Sequence, residues 1–343
     1  GGLARRKIRT VRAPARGRLQ RRGKPMRLPL IIASLLCSVI YSSPSYSTPL
    51  KKPVNSRKLG LTIKVEGEGW GNVRKETIEK VLYSVADELL TRLPKKLSVP
   101  IVVTHTDSNP VALYERGKNG EYRVQLHASE ANWHLYTYEF AHELCHILSN
   151  YEENAGPGAS RYNQWFEETL CETASLFTLK NLAATWKDAP PAPDWSKETD
   201  KLNRFFDLLV AEGHRQLPPH SPLAVWLASN DDKPRRDPSQ REKNELVANM
   251  LLPLFERNPE HWSTLSYLNL EPGDAGNSLQ DYLRNWYRNA PAEHKTFIAD
   301  VLDLFQMREV VIAAIPPEKT LVAAADNAPV AGALGSSRAP DKR

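Results

Sequence analysis

The chain has 343 residues, enough for one large domain or two smaller ones with real cores. Its 41% apolar and 25% charged residues are the ordinary proportions of a soluble globular protein. The net charge of +6 comes from the start: residues 1–25 hold ten Lys/Arg and no acid, and the rest carries 36 basic against 40 acidic residues, which excludes a nucleic-acid-binding role for the folded part.

In chain order, Met26-Arg27 precedes an apolar run, Leu28–Tyr41, and then small and turn-forming residues through Ser47. A positive region, a short apolar region and small residues at a cleavage site, here Ser45 and Ser47, form a secretory signal. The apolar run contains Pro29 and falls short of the roughly 20 residues that a membrane-spanning helix needs. Leu36, before Cys37, is too large for a lipoprotein cleavage site. Residues 1–47 are thus expected to be a basic leader plus signal peptide, with Met26 as the candidate true start. The mature protein is expected in the periplasm or outside the cell, without a stable membrane span; an uncleaved anchor is the alternative. Only Cys145 and Cys171 remain after cleavage, either as a disulfide or as two buried thiols.

Thr48–Lys58 has the composition of a polar tether. Strands are predicted at Leu59–Val65, Val99–Thr104, Val111–Glu115 and Glu121–His127, and a helix over Val73–Leu93 that stops at Pro94. Two further helices follow, about Glu130–Asn150 and Tyr162–Leu182, separated by the loop Ala155–Ser160. Helices continue to about Ala314, interrupted at Pro190–Pro193 and Asp231–Pro238, and residues 316–343 have the composition of a disordered tail. The predicted class is α+β: a mixed sheet with helices over residues 48–155, then a helical subdomain over residues 156–315.

The chemistry is concentrated in Tyr138-Glu-Phe-Ala-His142-Glu143-Leu-Cys-His146-Ile-Leu. At about 100° per residue, His142 and His146 lie one turn apart on one helix face, a spacing at which two imidazoles can bind one zinc. Glu143 falls about 100° round from His142, beside the metal position, where it can take a proton from a water activated by zinc. Apolar side chains cover most of this helix, leaving one polar wedge of His142, His146, Glu139 and Glu143. A helix that apolar is buried, so the wedge must face a cleft or be paired.

Two histidines need a third protein ligand. The second helix offers Glu168 and Glu172 on one face, while Glu167 points about 100° away. Glu168 can bind zinc while Glu172 accepts a hydrogen bond from the far nitrogen of a ligand histidine. Glu167 and Glu152 are the alternative third ligands; Glu152 requires a sharp turn at Ser149-Asn150.

The pattern of H-E-x-x-H on one helix, with Trp165-Phe-Glu167-Glu168 and an acid four positions on in the next, resembles the gluzincin zinc metallopeptidases. The resemblance spans roughly Tyr122–Leu179 and implies a zincin-like fold. It implies His142, His146 and Glu168 as ligands, Glu143 as general base, Glu172 behind a ligand histidine, and a peptide or protein substrate. It also implies that Glu121–His127 is the sheet edge on which an extended substrate pairs. A Tyr or His of the helical subdomain would stabilise the oxyanion, with His261, Tyr267, Tyr282 and Tyr287 available. The chain departs from the pattern at Glu167 and Thr169, where Asn and Gly are common. The alternative function is a zinc-binding envelope protein or another hydrolase on the same fold.

Overall fold

The structure, a computed structural model, describes residues 52–312 apart from 94, 155–161 and 231–240. The leader, the signal, the C-terminal tail and the loops at 155–160 and 231–238 lie outside the described residues.

The protein is mixed α/β and mostly helical. Its small sheet comprises β1 (Ile63–Val65), β2 (Ile101–His105), β3 (Val111–Ala112) and β4 (Tyr122–Leu126), in the spatial order β1-β2-β4-β3. β1, β2 and β4 run parallel, while β3 pairs antiparallel with β4 at the edge. Ile63, Ile101 and Tyr122 stand abreast in this register, as do Val65, Val103 and Val124, and all six are buried. Side chains alternate across a strand, so these residues form one apolar face. Helices α1 (Lys75–Arg92) and α2 (Trp133–Leu148) pack against the sheet. On α1, Ile78, Val81, Leu82, Val85 and Leu89 form the buried stripe expected of a helical period.

α2 also packs on α3 (Gln164–Asp188), which in turn carries α4 (Thr199–Val210) and α6 (Arg241–Arg257). The remaining helices are α5 (Leu223–Asn230), α7 (Leu279–Asn289), α8 (Ala292–Leu304) and α9 (Arg308–Ile312). No helix among the described residues is long and apolar enough to cross a membrane.

Three departures from the predicted elements have physical causes. α3 runs past Leu182 to Asp188 because Trp186 is fully buried, donating to Ser84 Oγ at 2.8 Å and lying against Trp195. The end of the expected tether is anchored: Ser56 donates through its backbone N–H and its hydroxyl to Asp87, and the Val54 N–H donates to Thr91. β4 is not a sheet edge, because β2 and β3 flank it; the edge is β3.

Aromatic residues build much of the helical core. Trp262 is fully buried, stacked on Phe255 at 3.8 Å between ring centroids and edge-on to Phe177. Trp262→Ala is expected to cost about 3–5 kcal/mol, seen as a lower urea midpoint at unchanged m. A loss below about 1 kcal/mol would contradict this packing account.

Candidate metal centre

Every residue of α2 except His134 and Leu135 is buried, as its apolar circumference requires. The polar wedge is therefore paired. Glu139 accepts from the backbone N–H groups of His127 and Ala128, both at 2.9 Å, and so clamps the end of β4 to α2. Glu143 accepts from the Ala112 N–H at 2.6 Å, which ties the edge strand to the same helix.

His142 and His146 turn their Nε2 atoms toward Glu168 on α3. His142 Nε2 lies 3.0 Å from Glu168 Oε2, and His146 Nε2 lies 3.6 Å from Glu168 Oε1. One ligand atom from each of the three residues lies within 4.8 Å of the other two, close enough to hold a metal ion. Two further features fit a cation. The buried His142 Nδ1 has no hydrogen-bond partner and stands 3.8 Å from Glu172, so a small ring adjustment would complete that bond. Burial alone would lower His146 and raise Glu168, yet their mutual attraction wins: His146 is held well above its ordinary value and Glu168 well below the carboxylate range. That attraction marks carboxylate-rich surroundings that favour a positive charge between them.

Around these three residues the acids divide their work differently from their sequence spacing. Glu167, expected to point away, accepts from the far nitrogen of a histidine: its Oε1 lies 2.7 Å from His146 Nδ1. Its other oxygen accepts from Asn269 Nδ2 at 2.9 Å, and Asn269 Oδ1 accepts from the Tyr282 hydroxyl. Glu172 is beyond hydrogen-bond reach of His142 and instead accepts from the Tyr138 hydroxyl at 2.5 Å and from Arg215 at 2.8 Å. Glu167→Ala is expected to weaken metal binding about 10- to 100-fold, measured by competition with a chelating dye. Unchanged affinity would reduce the Glu167–His146 contact to packing alone.

The sharp turn after α2 does form, at Asn150 with φ 60°, a conformation that Asn tolerates after a helix end. It brings Tyr151 to the cleft, while Glu152 pairs with Arg116 at 2.5 Å and takes no part in the metal group. A second group, Glu212, His214 and Glu245, is equally tight. Arg215 already supplies positive charge there, at 2.8 Å from Glu212 and 3.2 Å from Glu245. Cys145 and Cys171 are buried free thiols; burial, then the hydrogen bond between them, pushes Cys171 well above its ordinary value.

The centre opens into a cleft of about 330 Å³. β3 with Tyr114 forms one wall, and Arg241, Asn244 and Glu245 of α6 line it as well. None of His261, Tyr267, Tyr282 or Tyr287 lines this cleft. Tyr282 is buried behind Glu167, and His261 bonds His294. The tyrosines at the cleft are Tyr114 and Tyr151, stacked at 5.4 Å. Tyr151 carried no signal in the motif, since it lies past the end of α2 and beyond the turn at Asn150. Arg241 carried none either.

Comparison with protein-family models, with curated proteins and with solved structures found no match. The functional reading therefore rests on the cleft itself.

Proposed function

We propose that this protein is an exported, zinc-dependent peptidase of the gluzincin type, hydrolysing peptide bonds with Glu143 as general base. The observation that carries this reading is one cleft holding a two-histidine, one-glutamate group, a separate carboxylate beside it and an open strand edge. Two imidazoles and a carboxylate, with room left for water or substrate, are the donor set of catalytic zinc. When bound, zinc supplies Lewis acidity that activates water and polarises the scissile carbonyl.

The chain's own residues supply the rest. Burial raises Glu143, outweighing the two histidines, a direction that favours a carboxylate able to take up a proton and return it to the leaving amine. The hydrogen bond from Ala112 fixes that carboxylate in place. Leu113 N–H bonds Arg123 O across the β3–β4 pair, so at Ala112, one residue earlier, N–H and C=O both point away from β4. The N–H meets Glu143, and the carbonyl beside it faces the open edge as an acceptor for a substrate N–H. The substrate edge in this reading is β3, not β4.

Zinc content of the purified protein tests the first half of this reading. About one zinc per chain is expected, with hydrolysis of unstructured peptides that stops with a chelator and returns with zinc. A zinc content near zero after reconstitution would overturn it.

A further inference from the structure

Arg241, the first residue of α6, lines the same cleft as His142, Glu143 and Glu168, and about half of its side chain is exposed. Its one ion pair among the described residues is with Glu245, at 3.6 Å from Nε and without a hydrogen bond. Glu245 is engaged elsewhere: His214 Nε2 lies 2.6 Å from one of its oxygens and Arg215 lies 3.2 Å from the other. The two arginines differ accordingly. Arg215 has a side chain only 1% exposed and is committed to Glu172, Glu212 and Glu245, whereas Arg241 is half-exposed in the cleft lining, in the field of Glu143, Glu172 and Glu245 but hydrogen-bonded to none of them.

A guanidinium carries five N–H donors in a planar fork that matches a carboxylate, and the pair strengthens where water is partly excluded. Glu143, Glu168, Glu172 and Glu245 line the same cleft and disfavour each added negative charge, so a single carboxylate is a better match than a dianion such as phosphate. The first turn of a 17-residue helix adds a favourable field for a single negative charge.

We propose that Arg241 is a specificity-determining residue that binds a carboxylate of the peptide substrate, so that the cleft selects peptides with an acidic group close to the bond held at the metal centre. This rests on the peptidase reading. The carboxylate has two sources, an Asp or Glu side chain and a free C-terminus.

The test uses zinc-loaded full-length protein and alanine-based hexapeptides: N-acetylated amides with one Glu at each position in turn, their Gln and Lys counterparts, and a Gln peptide with a free C-terminal acid. Binding is measured by calorimetry in the Glu143→Gln variant and turnover in the wild type. At least one carboxylate peptide is expected to bind about 10-fold or more tighter than its neutral partner, a factor typical of one charge-assisted pair. Preference for a Glu amide assigns the side-chain source, and preference for the free acid assigns the C-terminus. In Arg241→Gln that ratio falls toward one, and in Arg241→Glu the favoured peptide becomes the one carrying Lys. A ratio near one in the wild-type cleft, a ratio that survives Arg241→Gln, or no binding of any peptide would overturn the proposal. Carboxylate-selective binding without turnover would sink only the peptidase reading, and turnover without carboxylate preference only the role of Arg241.

Discussion

Glu143→Gln is expected to keep one zinc per chain and to lose peptide hydrolysis by about 10²- to 10⁴-fold, the usual contribution of a positioned general base. The substitution is chosen for what it leaves intact. Glutamine is the same size, and its carbonyl oxygen can still accept from the Ala112 N–H that Glu143 now accepts at 2.6 Å. Its amide nitrogen then faces the cleft as a donor, where the reaction needs an acceptor. Glu143→Ala would be a poorer test. It leaves a buried N–H unpaired, at a cost of about 1–3 kcal/mol, and loosens the edge strand together with the chemistry. Retained zinc with lost turnover separates the base from the ligands. Wild-type turnover in Glu143→Gln would show that the residue only fastens β3 to α2, and the proposed mechanism would be wrong.

His146→Ala is expected to reduce zinc from about one per chain to near zero and to abolish stabilisation by zinc. A ligand that binds only the folded state at 100 times its Kd adds about 2.7 kcal/mol to unfolding. For a domain of this size that raises Tm by roughly 5–10 °C. The substitution also strands Glu167, whose Oε1 lies 2.7 Å from His146 Nδ1, so the metal-free variant is expected to melt lower than the metal-free wild type. The difference between zinc-loaded and zinc-free melting is therefore the quantity to compare. If His146→Ala keeps both the zinc and the increment, His146 is a structural partner of Glu167 and not a ligand.

His142, His146 and Glu143 were legible in the sequence because their geometry is local to α2, whereas Glu168 on α3 was singled out among three acids by the resemblance. Residues four apart on a helix share a face, whatever the helix later packs against. The near-complete apolar cover of Trp133–Leu148 likewise required burial, and burial required that each polar side chain be paired or turned to a cleft. The strand alternation of Tyr122, Val124 and Leu126 was equally readable, since all three are buried while Arg123 stands exposed.

Tertiary structure decided whatever depends on segments meeting from far along the chain. β4 lies inside the sheet only because Val111–Ala112 folds back antiparallel to it, and a two-residue strand has almost no pattern of its own. Glu167 rather than Glu172 reaches a histidine because Asn269, 102 residues later, holds its other oxygen, while Arg215, 43 residues on, draws Glu172 toward itself. Arg241 enters the cleft because α6 packs on α3. Helical periodicity is set by backbone hydrogen bonds within one turn, so the sequence alone determined that His142 and His146 share one face of α2 with Glu143 beside them. The partner of each carboxylate and the wall opposite the centre follow from how buried faces of separate helices and strands fit together, which only the tertiary structure decided.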